Sequence, residues 1–207
     1  GIIEEHGPHL PLGTDIYLAY KQAHDVWEEL NSMKIPCVIA PPFYLGGVQA
    51  LTRHFPGTFA FSKETIMACI EEYLENLNRF GFKRVVVFND HGDGLHISAI
   101  VEAIKNTNRK LELQAYWMEY EYELKEHGFS GEEDYILKLT DMPFEEMFQI
   151  SKEPRDAFDV HAGAFETATM REIYPEAVRE NTLTMLEPTF LQGEQIGKGC
   201  NGAAEDK

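Results

Sequence analysis

Apolar residues recur with the period of an α-helix in three long stretches of the chain. The first helix begins at Thr14 or Asp15, either of which can cap it, and the second begins at the capping residue Ser62. The third helix follows a glycine turn at residues 92–94, and a shorter fourth helix emerges from a loop within residues 159–174. The residues that define the three long apolar faces are Ile16, Ala19, Ala23, Val26, Trp27 and Leu30; Ile66, Met67, Ile70, Tyr73, Leu74 and Leu77; and Ile97, Ile100, Val101 and Ile104.

Four apolar segments between these helices predict strands. Residues 84–89 form a continuous apolar run, as expected of a strand covered on both faces, and residues 111–117 alternate between apolar and polar. Residues 37–40 predict a short buried strand, and residues 1–3 the end of another. The alternation of strands and helices predicts an α/β fold with a mainly parallel sheet and helices on both sides. The length suits a single domain over residues 1–207.

Charge excludes two classes of partner. The chain has 18 basic and 35 acidic residues, for a net charge of −17, which repels nucleic acid and anionic lipid. No apolar run approaches the ~20 residues that span a bilayer. Residues 119–134 are acidic with interleaved aromatics, which indicates either a solvated face or a lid or subunit contact.

The cysteines and the first residue bear on cellular context. The three cysteines, Cys37, Cys69 and Cys200, form no CxxC pair, which favours free thiols in a reducing compartment and hence a cytoplasmic protein. The chain starts with Gly1 inside a motif, which predicts that an upstream segment is missing.

Imidazole and carboxylate side chains stand together near the first predicted turns. Glu4 and His6 are two residues apart, so on an extended segment both project to one face. Asp15 follows a Pro/Gly loop that could fold it back toward them. His91 and Asp93 come directly after the strand at 84–89, at the sheet edge where ligands bind in open α/β folds.

A third group lies further along the chain, where Asp159 and His161 are followed by Glu166. Taken alone, Asp15 could be a helix cap and His91 a hydrogen-bonded structural residue. Together, imidazoles and carboxylates without thiolates suit Zn²⁺, Mn²⁺ or Fe²⁺. They supply more ligands than one tetrahedral ion needs, which predicts two ions sharing a bridging carboxylate.

Four segments carry a specific resemblance. Residues 4–15 (EEHGPHLPLGTD) resemble the signature of the creatininase (creatinine amidohydrolase) family. Residues 55–58 (FPGT) and 159–167 (DVHAGAFET) resemble two further hallmark segments, and residues 89–93 (NDHGD) fall where the family has Asn-Gly-His. The segments occur in family order over most of the chain, which is identified as a member of that family.

The resemblance implies a three-layer α/β/α fold, two divalent metal ions in each chain and a homo-oligomer, usually a hexamer. Zn²⁺ is expected first, with Mn²⁺ or Fe²⁺ as alternatives. The metal ligands carried over by position are Glu4 and His91 for one ion, His6 and Asp93 for the other, and Asp15 between them. His161 matches the catalytic histidine, and Glu166 matches an acidic position near the metals that either ligates or orients a ligand.

Two departures from the family pattern concern the substrate side of the site. Creatininase itself has a tyrosine directly after the motif histidine, where this chain has Gly92. On the metal side, many members have no acid two residues after that histidine, whereas Asp93 supplies one here, as creatininase does with a longer glutamate. The segment before residues 55–58 also departs from the usual Ser-x-Glu-His pattern. The metal half of the site therefore resembles the family more closely than the substrate half does.

These features predict a metal-dependent hydrolase that cleaves a C–N bond of a small, cyclic amide. Alternatives are hydrolysis of a cyclic ketone C–C bond, of a formamide or of a peptide by the same metal centre. A non-catalytic, metal-dependent ligand-binding protein is the alternative from another class. The expected partner is a small-molecule substrate, with no nucleic acid and no membrane.

Overall fold

The computed structural model describes residues 1–49, 51–140 and 161–187. Three parallel strands form one sheet in the order β1-β2-β3: β1 (Arg84–Val87), β2 (Gln114–Tyr120) and β3 (Ile136–Leu139). The helices are α1 (Thr14–Ser32), α2 (Lys63–Arg79), α3 (Gly94–Lys110), α4 (Glu121–Glu126), α5 (Ala164–Ile173) and α6 (Glu180–Leu183), with a 3₁₀ turn at Pro175–Ala177. The predicted α/β class and parallel sheet are confirmed.

The main core lies between the sheet and the pair α2 and α3. Every second residue of β2 is buried, and Ala115 and Trp117 belong to the same apolar cluster as the inward faces of the two helices. Trp117 is completely buried. Tyr120 is an odd number of positions from Trp117 and therefore faces the opposite side of the sheet, where it lines a cavity with residues of α1 and α5. Helices thus cover both sides of the sheet.

Several boundaries agree with the sequence. Helix α1 begins at Thr14, but its N-cap is Gly13 without a side-chain cap hydrogen bond, so the prediction that Thr14 or Asp15 caps it is wrong. Ser62 caps α2 by accepting a hydrogen bond from the Thr65 amide. Cys37 and Cys69 are free thiols. None of the helices described for residues 1–49, 51–140 and 161–187 is long and apolar enough to cross a bilayer.

Three strand predictions need correction. Residues 1–3 and 37–40 are not strands; Val38 is 69% exposed, because residues 37–40 run over the surface instead of entering the sheet. The strand predicted over residues 84–89 spans only Arg84–Val87 and is half-buried, since within the described part of the chain it pairs with β2 alone. Strand β3 was not predicted, because its four residues lie against an acidic stretch with no clear alternation.

Candidate metal centre

The loop between residues 4 and 15 brings three candidate ligands together. The Glu4 amide donates a hydrogen bond to the Leu12 carbonyl (2.8 Å), which closes the loop, and Gly7 turns it with a φ of +67° that favours glycine. Asp15 stands in the first turn of α1 and is directed back toward His6, with its Oδ1 2.8 Å from His6 Nε2. The interpretation that this loop folds Asp15 back agrees with the structure.

His91 reaches the same place from the carboxyl end of β1. Its Nδ1 lies 3.0 Å from Glu4 Oε2 and 3.1 Å from Asp15 Oδ2. Its Nε2 donates to the Gly47 carbonyl (2.9 Å), and the Asn89 amide donates to the His91 carbonyl (2.8 Å). Since the Gly47 carbonyl holds Nε2–H, Nδ1 faces the two carboxylates. A protonated Nδ1 donates to them, whereas a deprotonated Nδ1 has a lone pair that could bind an ion between them.

His6 is oriented in the same manner. Its Nδ1 donates to the Glu4 carbonyl (3.1 Å), which leaves Nε2 for Asp15 and Glu166. Backbone carbonyls therefore fix the ring orientation of both imidazoles, as is usual for metal-binding histidines. We call Glu4, His6, Asp15 and His91 the metal-ligand cluster.

Electrostatics make this cluster unusual for a buried site. Burial alone would raise the pKa values of Glu4 and Asp15, but the adjoining imidazoles outweigh it and lower both. Burial likewise opposes protonation of His6 and His91, yet the carboxylates raise the pKa of His6 to about 9 and that of His91 well above its ordinary value. The cluster is therefore a set of strongly interacting donors held out of water.

Unpartnered atoms show that these residues fit a divalent ion. Glu4 Oε2, His6 Nε2 and Asp15 Oδ2 are buried and converge; they make the close ion-pair contacts given above, but none of these contacts has the geometry of a hydrogen bond. Such atoms are costly to bury unless something else satisfies them. The ligand atoms of Glu4, Asp15 and His91 lie within 4.8 Å of one another, and so do those of His6, Asp15 and Glu166. Imidazole nitrogens and carboxylate oxygens are the donor set that Zn²⁺ and Mn²⁺ accept.

Asp93 is not brought into these groups. It is buried and caps α3: its Oδ1 accepts from the amides of Leu95 (2.9 Å) and His96 (3.4 Å), and its Oδ2 accepts from the Gln49 amide (2.8 Å). The predicted role of Asp93 as a metal ligand stays a prediction. Its contacts here are those of a helix cap.

His161 and Glu166 both border the metal-ligand cluster. The His161 ring centroid is 4.3 Å from that of His6, and its Nε2 donates to the Glu5 carbonyl (2.6 Å). Glu166, in the first turn of α5, places Oε1 3.7 Å from His6 Nε2. The third member of this predicted group, Asp159, lies outside the described residues.

Sequence reasoning missed two supporting residues. The Thr52 hydroxyl donates a hydrogen bond to Glu4 Oε1, and the buried ring of His96 contacts the Asn89 side chain through Nε2 (3.0 Å). Nothing in the spacing could place Thr52 beside Glu4, since the two are 48 residues apart. Asn89 belongs to the motif around His91, which was a usable signal for its role.

Comparison with known proteins agrees with this geometry. The sequence profile of the creatininase family, described as creatinine amidohydrolase, matches residues 1–205. The chain belongs to the creatininase family. It is 25% identical over 187 residues to a creatinine amidohydrolase from Pseudomonas putida, an alignment that covers 86% of this chain and 64% of that protein. It is 22% identical over 207 residues to a 3-dehydro-scyllo-inosose hydrolase from Thermotoga maritima, with 97% and 57% covered.

Solved creatininases share the fold. A mutant creatininase of Zn-Zn type superposes with a TM-score of 0.66 at 22% identity, covering 93% of this chain and 70% of that one, and a manganese form gives 0.59. The creatininase-like architecture expected from the sequence is thereby confirmed. The chain spans 64% of the length of the curated creatinine amidohydrolase and 57% of that of the inosose hydrolase.

Proposed function

We propose that this chain acts as a metal-dependent hydrolase, which uses water to cleave the C–N bond of a small, cyclic amide. The observation that carries the proposal is the buried convergence of Glu4, His6, Asp15 and His91, whose unpartnered donor atoms fit divalent ions. Bound ions at such a site lower the pKa of water from ~15.7 to ~7 and polarise a carbonyl oxygen.

The ions would divide the cluster between them. Glu4 and His91 would hold one ion, since Glu4 Oε2 and His91 Nδ1 lie next to each other. His6 would hold the other ion through Nε2, on the opposite side of the Asp15 carboxylate. Asp15 would be shared, because its Oδ1 faces His6 and its Oδ2 faces His91. We propose two ions in each chain, Zn²⁺ first and Mn²⁺ or Fe²⁺ as alternatives.

We propose His161 as the residue that moves a proton. Its Nε2–H is held by the Glu5 carbonyl, so its second ring nitrogen is the one available for proton transfer. Burial, reinforced by the neighbouring His6, lowers the pKa of His161, so the ring is neutral at pH 7 and can accept a proton. It would take the proton from the attacking water and give it to the leaving nitrogen, a role that typically contributes ~10²–10⁴-fold in rate.

Gly92 bears on the substrate. It is exposed next to His91, and a side chain at this position would meet nothing within 4 Å. Creatininase-like recognition by a tyrosine is therefore replaced by open space, which accommodates a bulkier or more hydroxylated ring. We expect kcat/KM on creatinine to lie at least ~10²-fold below that on the preferred substrate.

A second candidate is hydrolysis of a C–C bond in a cyclic ketone. The relative described as an inosose hydrolase aligns over 97% of this chain, against 86% for the creatinine amidohydrolase. The space at Gly92 is consistent with a hydroxylated ring. The same donor set would serve this reaction, because a ketone carbonyl is attacked by water just as an amide is.

A substrate panel tests both candidates. Zinc-loaded protein is assayed against lactams, formamides, peptides and cyclic ketones, with Asp15→Ala as the inactive reference. Turnover of a lactam supports the first candidate, and turnover of a ketone alone supports the second. Two bound ions with no turnover of any member would contradict a hydrolase and indicate a ligand-binding protein.

Assembly and location stay predictions. We propose a homo-oligomer, a hexamer by resemblance, which light scattering at micromolar concentration tests; a monomeric mass would contradict it. The cytoplasmic location and the single domain over residues 1–207 likewise stay predictions.

A further inference from the structure

We propose that Glu166, and not Asp93, supplies the carboxylate for the ion held by His6, and that Asp93 instead fixes the start of α3. This inference rests on the proposed binuclear site. It changes the ligand set that the resemblance implies and assigns Glu166 a direct role that the sequence left open.

The contacts of Asp93 leave it committed to the backbone. Its two carboxylate oxygens accept from three amides, those of Leu95 and His96 in the first turn of α3 and that of Gln49 in the preceding loop. An aspartate also reaches one methylene less far than the glutamate of creatininase. Movement toward His6 would leave buried amides without partners, which is unfavourable.

Glu166 shows the opposite arrangement. One oxygen, Oε2, accepts from the Ala162 amide, and Ala162 has a φ of +52°, a backbone conformation uncommon for alanine. The other oxygen, Oε1, is left toward the cluster, 3.7 Å from His6 Nε2. One oxygen thus anchors the side chain while the other joins His6 and Asp15 in a group of donors within 4.8 Å.

The resulting donor sets match each other. One consists of Glu4, His91 and Asp15, and the other of Glu166, His6 and Asp15. Each has one imidazole, one carboxylate of its own and the shared Asp15. Both retain open positions for water and substrate, as catalytic metal sites require.

Paired substitutions test the assignment through metal binding, independently of activity. Co²⁺ titration, followed by the visible absorption of the bound ion and by elemental analysis, is carried out on wild type, Glu166→Gln and Asp93→Asn. In Glu166→Gln the amide oxygen can stay on the Ala162 amide while the NH₂ group faces the cluster. We expect wild type and Asp93→Asn to bind two ions, and Glu166→Gln to retain one while its second affinity falls more than ~100-fold.

The size of the fall in metal affinity distinguishes a metal ligand from a residue that only orients a ligand. Loss of an orienting residue typically weakens metal affinity by ~10–100-fold. A loss of ~100-fold or less in Glu166→Gln would overturn the inference. So would loss of one ion from Asp93→Asn with an unchanged circular dichroism spectrum. Asp93→Ser, which can still cap α3, should also bind two ions; loss of one from a folded Asp93→Ser protein would contradict the inference. A wild-type chain that binds a single ion would overturn the binuclear proposal itself.

Discussion

Two groups of carboxyls, one buried and the other buried or half-buried, lie near the carboxyl edge of the sheet, and they differ in what lies beside them. In the metal-ligand cluster, Glu4 and Asp15 adjoin two imidazoles, and the pKa of each carboxyl is lowered. No imidazole is among the main causes that shift the pKa values of Asp90, Glu119 and Glu123, which we call the carboxyl cluster. Burial, with repulsion from Glu123 and Asp90, raises the pKa of Glu119 to about 8. Burial, with repulsion from Asp15 and Glu123, raises that of Asp90 to about 7.

The difference shows that burial of acidic residues does not by itself make a metal site. His127 lies 3.8 Å from Glu123, but burial lowers the pKa of His127 and the ring stays neutral. The carboxyl of Glu119 therefore holds its proton at neutral pH and that of Asp90 does so in part, whereas the carboxyls of the metal-ligand cluster stay ionised. An ionised carboxylate is a better ligand for a divalent ion than a protonated carboxyl, which must first release its proton.

The largest expected effect comes from removing the carboxylate shared by both ions. Asp15→Ala should lose both ions and at least ~10³-fold in kcat/KM, about 4 kcal/mol of transition-state stabilisation. Elemental analysis and the substrate assay measure the two effects. The control is Asp25→Ala, an exposed carboxylate on the same helix, which should keep both ions. If Asp15→Ala retained two ions, Asp15 would not be a shared ligand, and the proposed difference in metal binding between the two clusters would be contradicted.

A smaller effect is expected beside the metal-ligand cluster. His161→Ala should keep both ions and lose ~10²–10⁴-fold in turnover, because it removes proton transfer without removing a ligand. Metal content and kcat are measured on the same preparation, with the exposed His24→Ala as control. Loss of an ion together with activity would make His161 a ligand instead.

The sequence predicted which side chains lie together where a motif contained residues whose arrangement has a single functional interpretation. The signature at residues 4–15 predicted that Glu4, His6 and Asp15 would meet, and the strand before His91 predicted its approach from the sheet edge. Asp93 could not be settled this way, since an aspartate before a glycine and a helix is compatible with both a ligand and a cap.

The fold shows the same limit. Periodicity located α1, α2 and α3, because each has an apolar face long enough to be distinctive. Residues 37–40 are as apolar as a strand, but whether such a segment is buried depends on which neighbours pair with it, and local sequence does not carry that information. Strand β3 was missed because only Ile136 of its four residues is buried, and its extended conformation comes from pairing with β2.

The smallest expected effect concerns stability and tests the carboxyl cluster directly. Glu119 is 8% exposed and accepts a hydrogen bond from the Tyr120 amide (2.9 Å), and burial, with repulsion from Glu123 and Asp90, raises its pKa. Its folded pKa of about 8 lies above the ordinary value of 4.5, so between these values the folded chain holds a proton that the unfolded chain has released. The free energy of unfolding should therefore fall by about 1.4 kcal/mol per pH unit from this group as pH rises through that window.

Glu119→Gln removes the titration while keeping an acceptor for Tyr120. We expect the variant to exceed wild type in stability by ~1–3 kcal/mol at pH 8 and to differ little below about pH 4, where wild-type Glu119 is mostly protonated in both states. Urea unfolding across this range measures the slope, which should flatten without vanishing because Asp90 and Glu123 still titrate. Glu112→Gln, an exposed position just before β2, should leave the slope in this window unchanged. If Glu119→Gln also left it unchanged, Glu119 would be ionised when folded, and the contrast with Glu4 and Asp15 would have to come from ligand geometry alone.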